Sequence, residues 1–465
     1  MSNADLGLIG LGIMGANLAR NIANKGWNIV VFNRTEEKTK QFLKKFGNKN
    51  ITGEITIETF VKKLKKPRKI LLMVKAGEGV DEIVKKLEPF LGKGDIVTDL
   101  GNSNYKDTTE RVRNLHKKRI HFLGCGISGG EKGALTGPSL MPGGDKKACT
   151  ALLPFLKSIS AKDFSGNPCV TYIGPDGSGH FVKMVHNGIE YGLMQILAEI
   201  YDILRLVYEM SAPEIANIFE KWGKNRLHSY LLTIAAEVLK KKDPLKKGFL
   251  IDAILDTAEQ KGTGAWTVIS AAEKGVPVPT IASALDARHI SAEKDLRMTL
   301  AKKFPRPKKK AVMTEKILHE LESALFGANI LAYIQGYELM ISASKEYGWE
   351  INLSEVTRIW QGGCIIRAKL LEICRKALKK NPQKHPMELD EIRHEFSVSM
   401  PDIKKIIKTA MEYGVPTPAL SASFQYFLGM TREKLSANFI QALRDRFGAH
   451  TYERIDRTGT FHTPW

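Results

Sequence analysis

Three glycines near the N-terminus constrain the fold of this chain more than any other feature. Gly10, Gly12 and Gly15 follow the apolar run Leu6–Ile9 and precede a helical pattern from Ala16 to Lys25. In such a G-x-G-x-x-G motif the first glycine permits a tight turn, the second lets a pyrophosphate approach the backbone, and the third lets helix and strand pack closely. The motif predicts a dinucleotide site, the alternative being a purely structural turn, and its residues are Gly10, Leu11, Gly12, Ile13, Met14 and Gly15.

Short apolar runs alternate with helical patterns over the first part of the chain. After the glycine motif, strand-like runs are Asn28–Phe32, Lys69–Val74, Asp95–Asp99 and Ile120–Leu123. Buried strands that alternate with helices are typical of a doubly wound, mainly parallel sheet. The fold class we predict for residues 1–178 is therefore an α/β Rossmann-type dinucleotide-binding domain.

The second strand ends at Asn33, Arg34 and Thr35. A site for NAD normally has Asp or Glu here to hold the ribose 2′-hydroxyl. A guanidinium flanked by two small polar groups suits a 2′-phosphate instead, so we predict NADP as the cofactor, the alternative being a surface arginine.

From about Gly179 the strand patterns almost vanish. Helical patterns run over Phe181–Met210, Ala324–Tyr347, Ser354–Ala377 and Leu389–Glu412, which predicts a large all-α domain. A shift of 141 residues takes Tyr208–Arg226 onto Trp349–Arg367 and matches Glu209 with Glu350 and Arg226 with Arg367, which indicates an internal helical repeat. The last stretch, from Asp445, is aromatic and polar with little periodicity, so we expect a C-terminal tail that orders only against another surface.

One face of the first long helix is polar although the rest of the helix is apolar. Residues at i, i+3, i+4, i+7 and i+8 share a helix face, and here they are Lys183, His186, Asn187, Glu190 and Tyr191. A solvated stripe is the alternative, but this mixture favours a site. A lysine there can act as a base only if burial or neighbouring charges lower its pKa.

The net charge of +20, from 70 basic and 50 acidic residues, is the one unusual compositional value. A nucleic-acid or polyanion binder would explain it, but the lysine runs, such as Lys308–Lys310, lack interleaved aromatic residues, and a solvated surface explains them as well. We therefore expect no nucleic-acid partner. We also expect no membrane partner, since no uncharged run is long enough to span a bilayer.

The five scattered cysteines form no C-x-x-C pair, which argues against disulfides and against a metal site and favours a cytoplasmic protein.

Several longer motifs resemble those of the decarboxylating 6-phosphogluconate dehydrogenase family over essentially the whole chain. They are Asn33–Thr35, Val74–Gly77, Gly101–Ser103, Ser128–Glu131, Gly137–Gly144, Gly179–Gly192, Gln260–Gly264 and Phe447–Tyr452, with Arg444. The resemblance implies a Rossmann domain at 1–178, a helical substrate and dimerisation domain at 179–436, and a tail at 437–465 that reaches the partner of a homodimer.

The resemblance also implies the reaction and the residues that perform it. 6-Phosphogluconate is oxidised by NADP at carbon 3 and loses CO2 to give ribulose 5-phosphate. Lys183 is the implied general base, and Glu190 is the implied general acid that protonates carbon 1. The implied cofactor residues, besides residues 10–15 and 33–35, are Val74, Lys75, Ala76 and Asn102. The implied substrate residues are Asn102, Ser128, Gly129, Gly130, His186, Asn187, Tyr191, Lys261 and Arg288, together with Arg444 and His450 of the second subunit.

The sequence departs from the family pattern at a few positions. Leu100 replaces a common Gly, Cys125 a Ser, and Lys132 an acidic residue, while Leu135-Thr136 replaces Arg-Tyr and Leu193 an Asp. None of these replaces a residue with an implied catalytic role. A shorter β-hydroxyacid dehydrogenase of the 3-hydroxyisobutyrate type remains the enzymatic alternative, although it needs neither the helical repeat nor the phosphate residues.

Overall fold

The computed structural model describes residues 4–305, 307 and 309–465, so that Lys308 lies outside the described residues. Its N-terminal part alternates strands and helices. The strands are β1 (Leu6–Ile9), β2 (Ile29–Phe32), β3 (Ile51–Gly53), β4 (Lys69–Leu72), β5 (Ile96–Asp99), β6 (His121–Ser128) and β7 (Ser139–Gly144). The helices are α1 (Ile13–Asn24), α2 (Glu36–Phe46), α3 (Ile57–Lys62), α4 (Glu78–Leu87), α5 (Tyr105–Lys117), α6 (Gly130–Thr136) and α7 (Lys146–Ile159), with a 3-10 turn at Glu88–Phe90.

The seven strands form one sheet in the order β3-β2-β1-β4-β5-β6-β7. All neighbours are parallel except β6 and β7, which are antiparallel. β1, β2 and β5 are buried along their whole length because apolar clusters cover both faces of the sheet. The strand order reverses between β1 and β4, the place where doubly wound sheets bind ligands beyond the carboxyl ends of their strands. The predicted Rossmann-type domain is confirmed.

The rest of the described chain is almost entirely helical. Its helices are α8 (Ser178–Leu206), α9 (Ala212–Gly223), α10 (Tyr230–Lys240), α11 (Thr263–Glu273), α12 (Pro279–Ala292), α13 (Lys294–Lys303), α14 (Glu315–Tyr347), α15 (Leu353–Ile359), α16 (Leu370–Lys380), α17 (Asp390–Glu412), α18 (Pro418–Met430) and α19 (Ala437–Gly448). Short 3-10 turns lie at Leu250–Ala253 and Pro386–Glu388, and the chain ends with a two-stranded sheet of β8 (Tyr452–Glu453) and β9 (Thr460–Phe461). No helix of the described residues is long and apolar enough to cross a membrane.

The two segments of the predicted internal repeat also match in helix ends and backbone conformation. The long helices α8 and α14 end at Leu206 and Tyr347, which the 141-residue shift superposes. Glu209 and Glu350, also related by that shift, share a left-handed φ of 52°, a conformation that is uncommon for a non-glycine residue. The next helices then begin at matching positions, α9 at Ala212 and α15 at Leu353. A shared backbone irregularity at matched positions supports duplication of a helical unit.

One predicted helix differs from the structure. The pattern over Ser354–Ala377 is not one helix but α15 and α16, separated by a turn in which Gly363 takes a positive φ of 66°. The C-terminal tail contains α19 and the β8–β9 pair, and Asp445 connects its parts. The Asp445 carboxylate is buried and accepts hydrogen bonds from the backbone N–H groups of Thr451 (2.9 Å) and Thr463 (3.0 Å) and from the Trp465 indole (2.8 Å).

Candidate active site

The glycine motif forms the turn between β1 and α1, and its three glycines serve different purposes. A Cβ at Gly10 would overlap the Met73 carbonyl oxygen, and one at Gly15 would overlap the Gly10 carbonyl oxygen, so packing within the protein requires both glycines. Gly10 also has a left-handed φ of 106°. A Cβ at Gly12 would meet no atom within 4 Å, so this glycine leaves an open approach to the backbone at the start of α1. Such an opening fits a pyrophosphate group.

The predicted adenosine-side residues lie at the end of β2, next to this turn. The Asn33 side-chain oxygen accepts a hydrogen bond from the Leu11 N–H at 3.0 Å, which ties the glycine turn to β2. Arg34 is exposed and its Nη1 lies 3.8 Å from Oε2 of Glu82 on α4. Because both side chains of this ion pair are exposed, solvent screens it, and the guanidinium remains open to a phosphate.

The loops after β4 and β5 carry further predicted site residues at the same sheet edge. Val74, Lys75 and Ala76 follow β4, and Asn102 is exposed after β5. The buried Asp99 carboxylate shapes this second loop, since it accepts hydrogen bonds from the Gly101 N–H (2.9 Å) and the Ser103 hydroxyl (2.5 Å).

Helix α8 crosses strand β6 at very short range, and this crossing positions the predicted reactive lysine. A Cβ at Gly126 on β6 would overlap the Lys183 Cβ and lie 3.0 Å from the Lys183 Cγ. A Cβ at Gly179 would overlap backbone oxygens of Met141 and Gly124. Glycines on both sides of the contact therefore let α8 lie against the sheet, with Lys183 directly over β6.

Four predicted residues of α8 and one of β6 form a continuous polar cluster. Lys183 Nζ donates a hydrogen bond to the Asn187 side-chain oxygen and lies 3.5 Å from His186 Nδ1. His186 Nε2 lies 3.1 Å from the Ser128 hydroxyl, and His186 Nδ1 lies 3.7 Å from Oε2 of Glu190. His186 thus connects the lysine, the glutamate and the end of β6.

Burial controls the protonation of this cluster. It lowers the pKa of Lys183 from its ordinary value, against the opposing effect of the Glu190 charge. It raises the pKa of Glu190, which Lys183 and Arg288 oppose, and it holds the pKa of His186 well below its usual range. The pKa of Lys183 is thus shifted in the direction that a general base requires, and the pKa of Glu190 in the direction that a general acid requires.

The structure brings two of the predicted phosphate residues together beside this cluster. The Arg288 guanidinium lies over the Tyr191 ring, 3.5 Å from its centre, and Arg288 Nη1 donates a hydrogen bond to the Glu259 carbonyl at 3.0 Å. Lys261 is exposed in the connection that leads into α11. Gly129, with a φ of 140°, and Gly130, with a φ of 61°, form the turn that joins Ser128 to α6.

Arg444 and His450 are not drawn into the cluster of their own chain. Both are exposed, on α19 and just after it. The side-chain hydrogen bonds, ion pairs and ring contacts that the described residues 437–465 make all lie within that segment. α19 also leaves apolar side chains exposed, namely Phe439, Ile440, Leu443 and Phe447.

Sequence reasoning missed the turn after α15 as part of the site. Trp360 packs edge-on against His186, with ring centres 5.6 Å apart, and the Gly363 carbonyl oxygen would lie 2.5 Å from a Cβ at Gly129. Two consecutive glycines, Gly362 and Gly363, were the sequence feature that could have indicated a turn here.

The positions at which the sequence departs from the family pattern are mostly buried. Leu100, Cys125 and Leu193 lie among core side chains, whereas Lys132 is exposed.

Comparison with known proteins gives matches along the whole chain. Residues 5–174 match the model of the NAD binding domain of 6-phosphogluconate dehydrogenase, and residues 179–465 match that of the 6-phosphogluconate dehydrogenase C-terminal domain. The NADP(+)-dependent, decarboxylating 6-phosphogluconate dehydrogenase of Bacillus subtilis is 46% identical, with 100% of both chains covered. A decarboxylating 6-phosphogluconate dehydrogenase of Synechococcus elongatus is 45% identical over 100% of both chains. The solved Plasmodium falciparum 6-phosphogluconate dehydrogenase, described with NADP+ and with 6-phosphogluconate, superposes with a TM-score of 0.95 at 42% identity, covering 99% of this chain and 100% of that one.

Proposed function

This chain belongs to the 6-phosphogluconate dehydrogenase family, and we propose that it performs the family's reaction with Lys183 as general base and Glu190 as general acid. The reaction is the NADP-dependent oxidation and decarboxylation of 6-phospho-D-gluconate to D-ribulose 5-phosphate and CO2. The observation that carries the proposal is the buried Lys183–His186–Asn187–Glu190 cluster, which lies against the last parallel strand of a Rossmann-type sheet.

Lys183 begins the reaction by taking the proton of the carbon-3 hydroxyl. Burial lowers the pKa of this lysine, which is the direction that a general base requires. Asn187 accepts a hydrogen bond from Nζ and fixes the amine beside His186. When bound, NADP supplies the acceptor for the hydride that leaves carbon 3.

The oxidised substrate is a 3-keto acid, which loses CO2 because the electrons of the broken carbon–carbon bond pass into an enol. Protonated Lys183 donates a hydrogen bond to the carbon-3 oxygen throughout this step. Glu190 then gives its proton to carbon 1 and completes ribulose 5-phosphate. Burial raises the pKa of Glu190, which is the direction that a general acid requires, and its place two turns further along α8 separates the acid from the base.

The residues at the sheet switch point suit NADP. The open approach at Gly12 accommodates the pyrophosphate, while Arg34, with Asn33 and Thr35, receives the 2′-phosphate. Val74, Lys75 and Ala76 line the nicotinamide side, and Asn102 lies between cofactor and substrate.

We assign the sugar hydroxyls and the carboxylate to Asn102, Ser128, Gly129, Gly130, His186 and Asn187. The substrate phosphate is assigned to Tyr191, Lys261 and Arg288, and to Arg444 and His450 of a second subunit. A dianion is best held by several cations and a phenol, and the stacking of Arg288 on Tyr191 already places two such groups together.

We propose a homodimer whose tails complete the neighbouring sites. The exposed apolar face of α19 and the self-contained contacts of residues 437–465 support a segment that binds another subunit. The contacts confined to residues 437–465 also support a separate tail, and the matched family models over 5–174 and 179–465 support the boundary at 178. We therefore divide the chain into domains 1–178, 179–436 and 437–465. All five cysteines are buried and free, which supports a reducing, cytoplasmic location.

One assay tests the activity. Purified protein is given 6-phosphogluconate with NADP or with NAD, and formation of the reduced cofactor is followed together with CO2 release. We expect equal amounts of NADPH and CO2, a strong preference for NADP, and little activity with gluconate, which lacks the phosphate. Absence of NADPH formation, or activity that is equal for gluconate, would refute the proposed substrate.

Mixed dimers test the shared site. A Lys183→Met subunit lacks the base, and an Arg444→Ala subunit lacks the tail cation. If tails are exchanged, a dimer with one subunit of each kind holds one complete site, so mixing two weakly active variants restores activity. If each tail serves its own subunit, mixing restores nothing.

A further inference from the structure

A cavity of about 270 Å³ lies between the N-terminal domain and the helical domain, beside the turn at Gly129 that follows β6. Its lining residues come from both sides of the domain boundary. They are Gly129, Lys132, Gly133, Thr136, Gly137, Ala161 and Lys162 from the N-terminal side and Tyr230, Gly363 and Arg367 from the helical side. Gly129 also belongs to the proposed substrate set, but the other lining residues do not.

The cavity is strongly cationic. Lys132, Lys162 and Arg367 line it, and the described lining residues include no Asp or Glu. Neither lysine side chain makes a hydrogen bond or ion pair with any residue that the structure describes. Three like charges around one cavity repel one another, and a bound anion relieves that repulsion.

The third cation is held in place before any ligand arrives. Arg367 Nη1 donates a hydrogen bond to the Cys364 carbonyl at 2.5 Å, and the guanidinium lies over the Tyr230 ring, 3.7 Å from its centre. A guanidinium fixed by stacking loses little entropy when it binds an anion, and its geometry matches the oxygens of a phosphate group.

We propose that this cavity binds a small phosphate-bearing anion that bridges the two domains, held by Lys132 and Lys162 on one side and Arg367 on the other. The volume accommodates a phosphoryl group with a small remainder. The anion would lie next to Gly129 and Gly363, whose backbones pack closely against each other.

Calorimetric titration with inorganic pyrophosphate at constant ionic strength tests the site. The protein is first saturated with 6-phosphogluconate and NADPH, so that the proposed substrate and cofactor sites are filled and no turnover occurs. We expect one pyrophosphate bound per chain, with affinity reduced at least tenfold by Lys132→Glu and by Lys162→Glu.

Lys147→Glu is the matched control, because it makes the same charge change at an exposed lysine of α7. We expect it to leave pyrophosphate affinity within twofold of the parent protein. Absence of pyrophosphate binding to the parent protein would overturn the proposal. An equal loss of affinity in all three variants would also overturn it, because it would show that net charge alone attracts the anion. Binding is read directly and needs no turnover, so failure of the proposed reaction would not be mistaken for failure of this site.

Discussion

Replacing Gly126 by alanine tests whether close packing of α8 on β6 positions Lys183, the proposed general base. The new Cβ would lie closer to the Lys183 Cβ than 3.0 Å, a separation that real Cβ atoms do not show, and it would also meet the Lys183 Cγ at 3.0 Å and the Gly179 carbonyl at 3.1 Å. Restoring ordinary contact at 3.4–4 Å requires a displacement of helix or strand on the order of 1 Å. Overpacking of this kind costs about 1–3 kcal/mol of folding free energy.

The catalytic cost should exceed the cost in stability. A misplacement of about 1 Å at a reacting group reduces turnover by roughly 10²-fold. We therefore expect Gly126→Ala to remain folded, with a modestly lower melting temperature, unchanged NADP affinity and kcat lower by about 100-fold. Steady-state kinetics, cofactor titration and thermal unfolding measure the three quantities.

Gly429→Ala is the control, since a Cβ on this glycine of α18 meets nothing within 4 Å. It should leave kcat unchanged. If Gly126→Ala retained kcat within threefold while losing stability, the contact would serve folding only, and positioning of Lys183 through Gly126 would be refuted.

Three further predictions concern cofactor, assembly and pH. Arg34→Ser should weaken NADP binding at least tenfold and leave NAD binding nearly unchanged, as cofactor titration will show; equal losses would contradict a role in reading the 2′-phosphate. Phe439→Asp combined with Ile440→Asp should produce folded, inactive monomers in light scattering, because these exposed side chains are assigned to the subunit interface; an active dimer would contradict that assignment. Burial raises the pKa of Glu199 to about 7, against hydrogen bonds from the Leu420 and Ala419 N–H groups, so the folded state binds its proton more tightly than the unfolded state. The resulting stability is fully present below the unfolded pKa of 4.5 and is lost as pH rises through about 7, an effect of about 3 kcal/mol. Glu199→Gln should flatten this dependence in denaturant unfolding at pH 5 and pH 8, and an unchanged slope would contradict it.

Local patterns were enough to predict five of the seven strands of the sheet, the long helices α8, α14 and α17, and the repeat, but not the short strand β3 or the antiparallel strand β7. β1 and β5 are apolar throughout and lie where the runs indicate, because a strand buried on both faces needs no distant information to be recognised. The glycine turn and the polar face of α8 were also readable, since strand and helix periodicity place their residues together.

Features that depend on distant contacts were not readable. The break between α15 and α16 exists because Gly363 packs against Gly129 and Gly137, far away in sequence, and a helical pattern says nothing about that contact. Position 126 requires glycine because α8 crosses β6 there, and the sequence around Gly126 does not indicate this crossing. Order in the tail depends on one buried carboxylate, Asp445, which no periodicity singles out.

Substitution of Lys183 tests the central claim most directly. Lys183→Met removes the amine but keeps a side chain of similar length, and Lys147→Met makes the same change at an exposed position as the control. With 6-phosphogluconate labelled at its carboxyl carbon, NADPH formation and labelled CO2 release are measured in one reaction. We predict that Lys183→Met lowers both by at least 10³-fold while NADP affinity and melting temperature stay close to those of the control. Near-normal turnover by Lys183→Met would contradict its assignment as the base.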